Sequence, residues 1–133
     1  VSYLAVMGGR EYEANLTMDD DVVELYWQGG EPPILGFELE GPNFYVRLTP
    51  RVDLDYLFDS EWYCEYKGEP FKVQTDYGNE LSLHYLGGNI NKAQELGLSI
   101  EEPLVAVGVV PRKDVENLRE VRTQLWPPTD EGN

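Results

Sequence analysis

A single histidine and a single cysteine are the first candidates for nucleophilic, acid–base or metal chemistry. His84 falls in Glu80–Leu86, which alternates apolar and polar residues, with Leu81, Leu83 and Tyr85 on one face and His84 on the other. It has no cysteine partner in the sequence around it, and it reads as a surface or satisfied histidine. Cys64 lies between Tyr63 and Glu65, with no neighbouring basic residue to lower its thiol pKa. One cysteine also excludes an internal disulfide and a cysteine-cluster metal site. The Gly-Gly pairs at 8–9, 29–30 and 87–88 lack the flanking pattern of a phosphate-binding loop. Met18-Asp19-Asp20-Asp21 brings carboxylates together, but without the alternating ligands and distal Glu of an EF-hand loop, so it reads as a hairpin tip. None of the 25 acidic residues has a spacing that singles it out for acid–base work. The chain is therefore expected to bind rather than catalyse, with no cofactor and no metal.

Charge indicates what it would bind. Ten Lys plus Arg against 25 Asp plus Glu leave a net charge of −15. Such a surface aids solubility, repels phosphate backbones and anionic membranes, and speeds encounter with basic proteins. The expected partner is a basic protein, a toxin or an enzyme, and neither nucleic acid nor membrane. Residues 1–59 hold 12 acids and 3 bases, the remainder 13 and 7, so the first part is the more acidic. The candidate binding residues are Asp19, Asp20, Asp21, Glu24, Glu31, Glu38, Glu40, Asp53 and Asp55. Trp27 is the candidate aromatic anchor, presented by the loop Gly29–Pro33.

These residues have to be carried by a small scaffold. The chain has 133 residues, enough for one ordinary domain or two very small ones, and 41% hydrophobic residues supply a core. No run reaches the ~18 apolar residues of a membrane span. Val1–Gly9 lacks the basic start and long apolar stretch of a signal peptide. With one cysteine, the expected location is the cytoplasm.

An internal repeat organises the chain. Gly9-Arg10-Glu11-Tyr12-Glu13-Ala14 matches Gly68-Glu69-Pro70-Phe71-Lys72-Val73 at an offset of 59. At the same offset Val22–Tyr26 lies on Leu81–Tyr85. Thr49-Pro50-Arg51-Val52-Asp53-Leu54 lies on Val110-Pro111-Arg112-Lys113-Asp114-Val115 at an offset of 61. The units are residues 1–59 and 60–126, followed by a Pro-rich tail, 127–133, expected to be loose. Within each unit the pattern is β. Trp62–Tyr66, Pro70–Thr75, Glu80–Leu86 and Val105–Val110 read as strands, and Asn91–Gly97 as one or two helical turns. Asp114–Leu125 fits a helical face capped by Asp114 as well as a turn followed by a strand; the favoured reading is a short 3₁₀ turn at Asp114–Leu118 leading into a final strand, with Asp53–Phe58 as its counterpart.

Two stretches carry a family resemblance. Glu80-Leu81-Ser82-Leu83 is similar to the acidic-Leu-Ser-aromatic strand of SH3 domains. Gly108-Val109-Val110-Pro111-Arg112-Lys113-Asp114-Val115-Glu116-Asn117-Leu118 is similar to their segment Gly-aliphatic-aromatic-Pro-x-x-Tyr-Val-x-x-aliphatic. The resemblance implies a mainly β fold of two repeated SH3-like small barrel units packed together. It does not carry over the groove for Pro-rich peptides, because Asp53 and Asp114 stand where those domains have the groove tyrosine, and no Trp follows the Leu-Ser-Leu strand. In size, acidity and β content the chain also resembles small bacterial immunity proteins encoded beside toxins. That resemblance implies an inhibitor that blocks the active site of a basic toxin or enzyme. A tandem SH3-like adaptor is the alternative.

Overall fold

Two-residue turns at matching places start both halves of the fold. Gly8 and Gly9 (φ 60° and 78°) join strand β1 (Ser2–Met7) to β2 (Arg10–Leu16). Lys67 and Gly68 (φ 51° and 79°) join β6 (Tyr56–Tyr66) to β7 (Glu69–Asp76). Two successive positive φ angles make the hairpin turn whose twist suits the flanking strands, and glycine reaches them at little cost.

The structure is a computed structural model that describes residues 2–102 and 105–129. Residues 130–133 of the expected loose tail lie outside the described residues. The remaining elements are β3 (Val22–Gln28), β4 (Glu38–Gly41), β5 (Phe44–Pro50), a 3₁₀ turn (Arg51–Asp53), β8 (Glu80–Tyr85), helix α1 (Ile90–Glu95), β9 (Ser99–Glu102), β10 (Val105–Pro111), a second 3₁₀ turn (Arg112–Asp114) and β11 (Val115–Trp126). The fold is mainly β. Among the described residues 11 strands form one antiparallel sheet, paired in the order β4-β5-β3-β2-β1-β6-β7-β8-β10-β9 with β11 on β6, and this sheet does not close on itself. Contacts divide the chain into unit 1, Val1–Ser60 with Arg122–Asn133, and unit 2, Glu61–Val121. No helix among the described residues is long and apolar enough to cross a membrane.

In unit 1 the strands run β4-β5-β3-β2-β1 and then the first half of β6. In unit 2 they run β9-β10-β8-β7, then the second half of β6, paired by β11. The two orders agree strand for strand. The cores agree as well. Ala5, Tyr12, Ala14, Val23, Leu25, Leu54 and Leu57 form the buried cluster of unit 1, with Leu125 and Trp126 packed on it. Cys64, Tyr66, Phe71, Leu81, Leu83 and Tyr85 dominate that of unit 2, with Val115 and Leu118 against it. Tyr12 lies opposite Ala5, and Phe71 opposite Cys64. Full burial of a valine, leucine or phenylalanine side chain stabilises the fold by about 1.5–3 kcal/mol.

Two expectations need correction. The first is the offset between β3 and β8. Val23 faces Thr49 and Leu81 faces Val110, so Val23 corresponds to Leu81, Leu25 to Leu83 and Trp27 to Tyr85. The offset is 58 rather than 59: a bulge between Val73 and Thr75 adds a residue to β7, and the turn after it, 77–80 between Asp76 and Leu81, is two residues shorter than 17–22 between Leu16 and Val23. The second concerns the 3₁₀ turns, which come two residues earlier than expected, directly after Pro50 and Pro111. The amide N–H of Arg51 donates to the Asp21 carbonyl and that of Arg112 to the Asn79 carbonyl. This fastens the chain at those points, so strand geometry resumes in time for Leu57 and Val115 to reach their cores.

Candidate functional site

Period-two alternation sorts the residues of unit 1 onto two faces. Tyr12, Ala14, Val23, Leu25 and Thr49 point into the core. Glu11 and Glu13 of β2, Glu24 and Tyr26 of β3, and Phe44, Val46 and Leu48 of β5 occupy the other face. Glu38 of β4 lies opposite Val46 and extends that face. Because β5 separates β3 from β4, Glu24 and the Glu38/Glu40 pair end on either side of an apolar strip. They line an open concavity of about 660 Å³ together with Tyr26, Phe44 and Leu48.

The floor of this groove is aromatic. The Tyr26 and Phe44 rings stack with centroids 5.6 Å apart and planes 25° from parallel. Tyr26 Oη donates to a Glu24 carboxylate oxygen at 3.0 Å. Burial, reinforced by the Glu24 carboxylate, raises the Tyr26 phenol above its usual pKa, so the hydroxyl keeps its proton and its donor role at neutral pH. Leu48 is 66% exposed at the groove's edge. Among the described residues no lysine or arginine pairs with Glu24, Glu38 or Glu40. Three basic side chains of unit 1 are occupied elsewhere. Arg10 lies over the Trp27 ring at 5.6 Å. Arg47 donates to the Leu35 carbonyl and to Thr49 Oγ1, and passes so close to Gly36 that a Cβ there would lie 2.7 Å from Nε. Arg122 forks onto Glu11.

The other candidate residues lie apart from the groove. Asp19, Asp20 and Asp21 form the exposed β2–β3 turn, where Asp19 Oδ1 accepts from the Asp21 amide. Glu31 is exposed in the loop after β3. Asp53 ends the first 3₁₀ turn, and Asp55 accepts from the Gly8 amide. Trp27 is half-buried against the core edge-on to Tyr12, and its indole N–H donates to the Gly30 carbonyl. The groove thus unites three of the acids singled out from sequence with Tyr26, Phe44 and Leu48. Tyr26 stood out only within the repeated strand Val22–Tyr26, and Leu48 did not stand out at all. Alternation along β3 and β5 was the signal that could have grouped them.

Unit 2 holds the remaining chemistry-bearing residues. Cys64 is buried in the core, and burial followed by the Glu65 charge pushes its thiol up, away from the reactive thiolate. His84 is half-buried on the outer face opposite Lys72. No group of three or more His, Cys, Asp or Glu among the described residues is arranged to hold a metal ion. No family model, curated protein or solved structure matches the chain.

Proposed function

We propose that the chain is an acidic inhibitory binding protein, an immunity protein that neutralises a basic toxin or enzyme by covering its active site. The observation that supports this most is the groove of unit 1, where Glu24, Glu38 and Glu40 flank exposed apolar surface without basic partners among the described residues. Charged rims accelerate encounter, and apolar centres slow dissociation. Inhibition of this kind is steric and electrostatic and involves no catalytic step of its own. The acidic surface makes a protein partner more favourable than nucleic acid or an anionic membrane, and the proposed setting is the cytoplasm. Each unit is read as an SH3-like barrel. Its supports are the strand order and the 3₁₀ turn placed before the last strand.

Those same supports favour a second reading, a tandem SH3-like adaptor whose β4 edge accepts a strand from another protein. Capture from the source organism with the full chain as bait separates the two. The inhibitor reading expects one dominant basic protein whose enzymatic activity falls on binding. Capture of several proteins with unchanged activities would replace it with the adaptor.

A further inference from the structure

The outer face of unit 1 contains two sets of the same components, a phenyl or phenol ring beside glutamates. One set is occupied. The Arg122 guanidinium lies 5.8 Å from the Phe58 ring centroid and donates to both Glu11 carboxylate oxygens, at 3.0 and 3.2 Å. The other set is the groove, where the Tyr26–Phe44 stack lies between Glu24 and the Glu38/Glu40 pair. Among the described residues it has no cation of its own. We infer that this groove receives an arginine side chain from a basic segment of the partner protein, the guanidinium lying on the Tyr26–Phe44 rings and donating to the flanking carboxylates. The inference rests on the basic-partner reading above and names the group that is recognised.

Three considerations favour arginine over other occupants. A planar guanidinium stacks on aromatic faces and forks onto carboxylates, whereas an ammonium is a compact, strongly hydrated charge. The carboxylates are spread along two walls, and no metal-holding group of ligands forms among the described residues, so a single metal ion does not suit them. The exposed side chain of Leu48 extends the floor and offers cover for the apolar stem of an arginine.

Unit 2 provides an internal control. At the positions of Glu24, Tyr26, Glu38 and Phe44 it has Ser82, His84, Ser99 and Val105. The test is an amide chemical-shift titration of the full chain with acetyl-Gly-Ser-Arg-Ser-Gly-amide and with its lysine and citrulline counterparts. The arginine peptide should shift the amides of Tyr26, Phe44 and Val46 and leave those of His84, Val105 and Val107 in place. The lysine peptide should bind more weakly, and the neutral citrulline peptide should not bind. Phe44→Ala should weaken the arginine peptide about three- to five-fold, the size of an exposed cation–π contact. Should that variant fold poorly, Glu24→Ser combined with Glu38→Ser tests the same groove from its rim and should weaken binding at least as much. Equal binding of the citrulline or lysine peptide would overturn the inference, as would shifts spread over Asp19–Asp21 and the other surface acids. A captured partner that binds wild type and Phe44→Ala equally would overturn it too, while leaving the inhibitor reading intact. Peptide shifts confined to the groove, in a protein that inhibits no captured partner, would support the groove and refute the inhibitor reading.

Discussion

Units 1 and 2 have the same strand order and similarly built cores, one in each, and differ on the sheet face turned away from the core. Aromatic or aliphatic residues hold the core in both: Tyr12 and Phe71, Val23 and Leu81, Leu25 and Leu83. On the outer face Glu13 corresponds to Lys72, Glu24 to Ser82 and Tyr26 to His84. Packing constrains an inward position tightly, because volume and polarity are both felt there. An outward position is constrained only by solubility or by a partner. A concentration of acid and aromatic residues on one outer face, absent at the equivalent places of the other, is where binding specificity would be written.

The sharpest way to break the shared core is truncation at its centre. Tyr12→Ala and Phe71→Ala should each cost about 3–5 kcal/mol in urea unfolding. A loss under ~1 kcal/mol at either site would mean that the two cores are not built alike.

A swap at one paired core position sharpens the same comparison. Thr49 is fully buried and accepts a hydrogen bond from Arg47 at 2.7 Å, whereas Val110 occupies that place in unit 2. Gly108 stands at the position of Arg47 and leaves room for Leu98, so a hydroxyl at 110 would face no equivalent donor. Thr49→Val and Val110→Thr should therefore both destabilise, by about 1–3 kcal/mol, as measured by thermal or urea unfolding. A neutral result in both directions would show that the Arg47–Thr49 pair is incidental.

Acid titration should give the smallest effect, and it acts on unit 2. Arg112 and then the Gly78 amide hold the Asp76 carboxyl below its ordinary value. Asn117 and then Arg119 do the same for Glu65. A carboxyl with a folded pKa below its unfolded one contributes stability that is complete above the unfolded pKa and lost as pH falls through the folded one. Asp76→Asn and Glu65→Gln should flatten the loss of stability on acidification, read from unfolding midpoints at neutral and acidic pH. An unchanged acid slope would show that these exposed contacts are too well solvated to matter.

The repeat was legible because its marks are local. Glycines before Tyr12 and Phe71 and prolines at 50 and 111 each act through their own backbone. The one-residue slip between β3 and β8 was hidden because it is the net of a shorter turn and a bulge in β7 that depends on pairing with Leu83 and Ser82 across the hairpin. The mainly β composition followed from alternation, but the pairing of all 11 strands into one unclosed sheet required contacts distant in sequence. The groove was legible only in parts. Glu24, Glu38 and Glu40 stood out by charge, yet their approach to Tyr26 and Phe44 requires β5 to lie between β3 and β4. Trp27 stood out as a large aromatic, and its inward parity on β3 places it against Tyr12.

The association rate with the captured partner, for wild type and for the chain carrying Glu24→Ser and Glu38→Ser, tests the binding role of unit 1 most directly. It is to be measured by stopped flow at low salt and above about 0.15 M, where the Debye length is about 8 Å. The wild-type rate should fall as salt rises, and the double variant should associate more slowly at low salt and respond less to salt. A wild-type rate independent of salt, matched by the double variant, would contradict an acidic binding face on unit 1.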